Sequence, residues 1–348
     1  MEKKQWTQIS VFLIIGLAAL LLTAASQSAS YTAEIPGALG TDSEITVTTP
    51  KNGNVILQKC RDYIYAMDDL FSTRKPKSDI SKINLAAGSG RPVEVSADTA
   101  AILARAKEYA VETNGFFDVT VGNLVDLWEQ AKTDGALPQP DDISAAIHTV
   151  DFKGLKVDTT KNTAQLENRG QKIDLGGIAK GYITDGLVRM LRAEGVESAL
   201  INLGGNAYAL GKKNQFSAWN IGIQDPKNPN KLLGSIRAEN QCVITSGDYQ
   251  RYFELNGVRY HHILNPNTGS PSNSGLRSVT IVAEDATLAD ALSTACFILG
   301  YSEGANLIRE YENVSAIFVM DSNTVYYSPE LEEIFAHDNP SYEYKVME

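Results

Sequence analysis

The dipeptide Asn256-Gly257, set between two runs of β-type residues at 251–255 and 258–263, constrains the fold more than any other feature. Asn-Gly accepts the positive φ angles of a type I′ turn, whose twist matches that of paired strands. A hairpin follows, which makes a purely parallel sheet an unsuitable answer. Helices are written elsewhere. Ile56, Cys60, Tyr63, Ile64, Met67, Leu70 and Phe71 recur at helical spacing just after the alternating pattern of residues 45–48. Residues 96–113 read as a helix stopped by Asn114 and Gly115, residues 178–194 as another, and residues 286–299 as a third ended by Gly300. Strand patterns at 155–157, 164–166, 172–175, 199–203 and 278–283 lie between them. The expected class is mixed α and β. One domain over residues 31–348 is expected, because no repeat, low-complexity tract or charge block divides that stretch.

With 348 residues, 43% of them hydrophobic, the chain buries a large core without covalent staples. Its 31 Lys and Arg against 42 Asp and Glu give a net charge of −11, which repels polyanions and argues against a nucleic-acid partner. Cys60, Cys242 and Cys296 are too few and too scattered for a disulfide framework or a zinc knuckle, and the last two sit in apolar runs as small core residues. Residues 1–30 have the layout of an export signal: Lys3 and Lys4, an apolar run over 11–25, then small residues through Ser30. The segment is either a cleaved leader or a retained membrane anchor. Both place the remaining chain outside the cytoplasm.

Three segments carry residues suited to chemistry. Asp174-Leu175-Gly176-Gly177-Ile178-Ala179-Lys180-Gly181-Tyr182 joins a strand pattern to a helix pattern through paired glycines. It is either an anion cradle at a helix N-terminus or an ordinary glycine-rich connection. Asp290 and Thr294 lie four apart on a helix with Ser293 beside them, so their oxygens converge on one face. Such a set suits a hard cation such as Mg²⁺, while the plain alternative is a solvated acid in a helix's first turn. His261 and His262 precede a loop running to Gly269, and an imidazole there is placed either to shuttle a proton or to bind phosphate. A structural histidine is the bland alternative.

Taken together, these segments resemble the FAD:protein FMN transferases, the ApbE-like family, from about residue 39 to residue 320. The landmarks are Leu39-Gly40-Thr41, residues 72–84, Gly115-Phe116-Phe117-Asp118, residues 174–181, Thr245-Ser246-Gly247-Asp248-Tyr249, residues 262–269 and Ala289-Asp290-Ala291-Leu292-Ser293-Thr294, all in family order. The resemblance implies a T-fold-like α/β catalytic domain with Mg²⁺ as cofactor and FAD as substrate. It implies a metal held by Asp290, Thr294 and the Ala179 carbonyl with Ser293 nearby. It also implies a flavin site lined by Leu39, Phe116, Phe117, Asp118, Gly176, Lys180, Tyr182 and Ile263, with His262 facing the pyrophosphate. Arg74 stands where many relatives carry an aromatic residue and is expected to stack on the flavin or touch its phosphate. Asn265 replaces a commoner Asp, a mild change because both cap turns. The implied acceptor is a threonine or serine of an exported or membrane-bound redox protein. The competing readings are an FAD pyrophosphatase and a non-catalytic flavin-binding protein.

Overall fold

The computed structural model describes residues 28–348, so the expected leader lies outside the described residues except for Ser28, Ala29 and Ser30. Ala29 and Ser30 already belong to β1 (Ala29–Ile35), where they pair with Thr49 and Thr48 of β2 (Ser43–Thr49). Strand β1 thus starts two residues before position 31. Helix α1 (Gly53–Phe71) is capped by Asn52, which accepts the Asn54 N–H. After α2 (Asp79–Leu85) and β3 (Val93–Glu94), α3 (Ala97–Glu112) starts on a Ser96 cap and stops before Asn114 and Gly115, both at positive φ. Then come α4 (Gly122–Asp134), α5 (Pro140–Ile147), β4 (Leu155–Asp158), β5 (Thr163–Leu166) and α6 (Ala179–Ala193).

The rest is strand-rich. It runs β6 (Ser198–Leu203), β7 (Asn206–Leu210), β8 (Trp219–Asp225), β9 (Asn228–Ala238), β10 (Gln241–Gly247), β11 (Tyr252–Leu255), β12 (Val258–His261) and β13 (Leu276–Ala283). Helices α7 (Ala286–Leu299) and α8 (Tyr301–Arg309) precede β14 (Ser315–Met320), β15 (Thr324–Tyr327), β16 (Phe335–His337) and β17 (Glu343–Val346). Asn256 and Gly257 are both at positive φ, as the turn between β11 and β12 requires.

Nine strands form the main sheet in the order β1-β2-β6-β7-β10-β13-β14-β15-β17, antiparallel except for the last pair. Tyr208, Leu210, Cys242, Ile244 and Phe318 point to a core shared with α1, α6 and α7, whereas Ala207, Ala209, Val243, Ile317 and Val319 meet a second sheet, β16-β9-β8. Because both faces are covered, the central strands are written as unbroken apolar runs such as residues 316–320.

Residues 172–175 are not a strand. Only Lys172 bridges, to Val121, and the Asn84 amide then takes both backbone groups of Ile173, donating to its oxygen at 3.0 Å and accepting its N–H at 2.7 Å. A side chain supplies what a neighbouring strand would have supplied.

Helices α6 and α7 cap each other. Ile178, at the N-cap of α6, contributes no side-chain bond; instead Asp290 of α7 accepts the Gly181 N–H at 2.9 Å. Asp185 of α6 in turn accepts the N–H groups of Ala286 and Thr287 at 3.0 and 2.9 Å, together with the Thr287 hydroxyl. Each carboxylate sits at the positive end of the other helix. Burial and the neighbouring Asp285 push the Asp185 carboxyl up to about 6. The crossing is close enough that a methyl group on Gly181 would overlap the Ala286 carbonyl oxygen and lie 2.8 Å from Asp290 Cβ. Gly181→Ala is therefore expected to force the helices apart and to destabilise the protein by about 1–3 kcal/mol, despite alanine's better helix propensity. Urea unfolding of the two proteins measures it.

Candidate active site

The site is built at the α6–α7 crossing. Asp290 is buried, and besides the Gly181 N–H it accepts the Asn206 side-chain amide at 2.9 Å; Lys180 Nζ lies 3.7 Å from the same oxygen, Oδ1. This is not a solvated first-turn acid. Thr294, one turn on, makes only a long contact of 3.4 Å to the Asp290 carbonyl. Its hydroxyl lies against Gly177, where a Cβ would come within 3.3 Å of both Thr294 Oγ1 and the Phe117 ring. Ala179 opens α6 beside them. The Asp290 carboxylate and the Thr294 hydroxyl, one turn apart on α7 with Gly177 and Gly181 against them, are oxygen donors of the kind that fits a hard divalent cation, and the resemblance adds the Ala179 carbonyl to them. Ser293 stands differently: its hydroxyl bonds Ser246 Oγ at 2.8 Å and the Asp290 carbonyl at 2.9 Å, so it braces α7 against β10.

His262 and Asp174 are half-buried and Arg251 is exposed, and charge links them to this cluster: Asp174 and Asp290 bear on Arg251, and Arg251 and Lys180 bear on His262. His262 Nδ1 lies 3.1 Å from the Arg251 carbonyl. A carbonyl only accepts, so Nδ1 carries the proton and Nε2 keeps its lone pair. Desolvation, followed by the charges of Arg251 and Lys180, pushes this imidazole down to about 3. Desolvation raises the Asp174 carboxyl, opposed by its bond to the Gly176 N–H and by Arg251.

The remaining expected residues divide. Leu39 is, among the described residues, the only one other than Gly and Asn at positive φ (57°), and its N–H is held by Asp68 at 3.2 Å. Backbone strain at a bulky residue is a mark of functional sites. The neighbouring Thr41 packs on Gly204, next to Asn206, so this loop adjoins the cluster. Phe117 is buried against Gly177, and Phe116 is half-buried one residue before it. Gly176 is exposed, while Ile263 is buried with its carbonyl taken by the Ser272 N–H. Two others serve the fold. Asp118 spends its carboxylate on the Thr120 N–H and hydroxyl and on the Phe152 N–H. Tyr182 sends its hydroxyl to Asp98 and packs edge-on against Phe71. Arg74 is exposed and forms a two-pronged ion pair with Glu129, at 2.8 and 3.0 Å. The charges of both residues bear on Arg251.

Sequence reasoning missed Asn206 and Arg251. The only signal for Asn206 is its place after Gly204-Gly205, a turn with both glycines at positive φ. Arg251 had none, since an arginine at a strand start is ordinary.

Fold and site together define a mixed α/β protein with a buried carboxylate, Asp290, held at the crossing of two helices and a lysine beside it. A family profile described as ApbE matches residues 39–318. The FAD:protein FMN transferase of Treponema pallidum is 39% identical over 271 residues, 74% of this chain and 74% of that protein. Its counterpart from Klebsiella pneumoniae is 34% identical over 297 residues, 85% of this chain and 90% of the relative. Among solved structures, the ApbE protein of Thermotoga maritima superposes with a TM-score of 0.80 at 33% identity, covering 89% of this chain and 100% of that one. The flavin transferase ApbE of Vibrio cholerae gives 0.79 at 25% identity, covering 88% and 99%. This chain belongs to the ApbE family.

Two outcomes follow from the site's geometry. Asn206→Ala strips a buried carboxylate oxygen of its amide partner and is expected to cost about 1–3 kcal/mol in denaturant unfolding. The histidine prediction concerns pH. The folded pKa of His262 is depressed from 6.5 to about 3, so the unfolded chain binds the extra proton first. Its contribution to stability is present above the unfolded pKa and is lost as pH falls from about 6.5 toward 3. Unfolding measured at pH 7 and pH 5 is expected to lose more stability in wild type than in His262→Gln.

Proposed function

We propose that this member of the ApbE family is an extracytoplasmic FAD:protein FMN transferase. It moves FMN from FAD onto a threonine or serine hydroxyl of an exported or membrane-bound redox protein and releases AMP. The observation that carries this reading is that Lys180 Nζ lies 3.7 Å from the Asp290 carboxylate, while the charges of Lys180 and Arg251 both bear on His262, whose Nδ1 is held by the Arg251 carbonyl. A base for a hydroxyl and oxygen donors for a cation thus share cations suited to phosphate.

The chemistry assigned to these residues balances simply. His262 Nε2 takes the proton of the acceptor hydroxyl as that oxygen bonds to the FMN-side phosphorus; the bond from this phosphorus to the bridging oxygen breaks, and its electron pair leaves with AMP. Lys180 and Arg251 neutralise the phosphate oxygens and orient them. Asp290, Thr294 and the Ala179 carbonyl would hold Mg²⁺, which when bound supplies positive charge to the pyrophosphate. The leader-like segment at residues 1–30 supports export, because enzyme and acceptor must share a compartment.

The test is to incubate the protein with FAD, Mg²⁺ and an exported redox subunit and to weigh the subunit. A gain of one FMN is expected; free FMN and AMP without an adduct would make the protein an FAD pyrophosphatase, and intact FAD a binding protein. His262→Gln is expected to slow transfer by roughly 10²–10⁴-fold. FAD affinity, followed by flavin fluorescence, is expected to stay near that of wild type.

A further inference from the structure

We propose that the acceptor protein docks by strand addition along the outer edge of β11, which delivers its hydroxyl-bearing segment to His262 in extended form. The proposal rests on the transferase reading above and adds how the partner is held. Strands β11 and β12 form a two-stranded sheet of their own. Its register fixes which backbone groups are spare. The His262 N–H donates to the Arg251 carbonyl at 3.1 Å, so residues 251 and 262 form a hydrogen-bonded pair. By alternation, Tyr252 opposite His261 and Glu254 opposite Arg259 are non-hydrogen-bonded pairs, whose N–H and C=O groups point away from the partner strand. On β12 that side carries His261, which is buried, and Arg259, which is half-buried. On β11 it is open: Tyr252 and Glu254 are exposed, and their outward backbone groups meet no partner among the described residues.

An isolated hairpin would be a poor template, being marginally stable in water. This one is anchored. Phe253 and Tyr260 stack on each other with centroids 5.3 Å apart, Tyr260 stacks on Trp128 of α4 at 5.6 Å, and the Trp128 indole N–H bonds the Gly269 carbonyl at 2.8 Å. On the opposite face Arg259 lies 4.1 Å over the Tyr252 ring and 3.6 Å from the Glu254 carboxylate, which stiffens the same edge. The edge is thus rigid, short and unpaired.

Its direction selects the occupant. The residue that ends the edge, Arg251, is the one whose carbonyl fixes the tautomer of His262. A chain paired with Tyr252 and Glu254 and continued past Arg251 would pass the residue whose carbonyl holds His262. Main-chain bonds would supply affinity, and the alternating side chains on the two faces specificity.

Glu254→Pro tests this, because it removes one outward N–H while leaving the β11–β12 ladder bonds intact, and proline is tolerated on an edge. With a redox subunit that the wild-type enzyme labels, the variant's KM for the acceptor is expected to rise about tenfold, while FAD affinity and melting temperature stay those of wild type. Glu254→Thr, which keeps the N–H, is expected to transfer normally. As a second measurement that does not depend on the variant's folding, acceptor peptides N-methylated at single successive positions are expected to lose labelling at every other position. Equal transfer by wild type and Glu254→Pro, an equal loss in Glu254→Thr, or labelling indifferent to N-methylation would overturn the docking edge alone. So would a dimer of this chain dissolved by Glu254→Pro, which would make a second copy the occupant. No labelling of any acceptor by wild type would instead overturn the transferase reading beneath it.

Discussion

One buried hydrogen bond, from the Gly181 amide in the first turn of α6 to the Asp290 carboxylate of α7, sets the geometry on which the cleft depends. The first turn of α6 has a spare N–H to offer, and no side chain at its N-cap takes it. Asp290 does so from another helix, and Asp185 returns the service at the start of α7. Because each helix completes the other, the carboxylate is held at low conformational cost, with one oxygen on Gly181 and the other shared by Asn206 and Lys180. The absence of a side chain at Gly181 makes this approach possible.

From that point the site is assembled by loops at one end of the main sheet. The turn between β6 and β7 brings Asn206, the end of β10 brings Ser246, and the hairpin that follows brings Arg251 and His262. Charges of both signs meet here: Asp174 and Asp290 bear on Arg251, and Lys180 lies 3.7 Å from Asp290, so two cations offset the acids locally in a chain of net charge −11. His262 stays neutral within this arrangement because it is crowded by protein and flanked by two cations.

Much of this was legible in the sequence, and for identifiable reasons. Period and punctuation located α3, α6, α7 and the hairpin, since Ser96, Asn114, Gly115, Asn256, Gly257 and Gly300 act locally on the backbone. Asp290 and Thr294 were visible because a helix makes their spacing a statement about space. What escaped depends on distant partners. Asn84 converts residues 173–175 from an apparent strand into a pinned connection, and Ser246 claims the hydroxyl of Ser293. Tyr182 and Asp118 lie inside correctly located segments, yet their side chains turn to Asp98, Thr120 and the Phe152 backbone. Segment-level resemblance finds the loop, whereas packing decides which way each residue in it faces.

The account's central claim is that the helix crossing holds Asp290 as the charged member of a divalent-cation site. The most direct test is calorimetric titration of Mn²⁺, as a probe for that site, into the wild-type protein and into Asp290→Ala, both shown to be folded. Binding that is measurable in wild type and lost in the variant is the predicted result. Equal affinity in the two proteins would place the cation elsewhere and contradict the assignment.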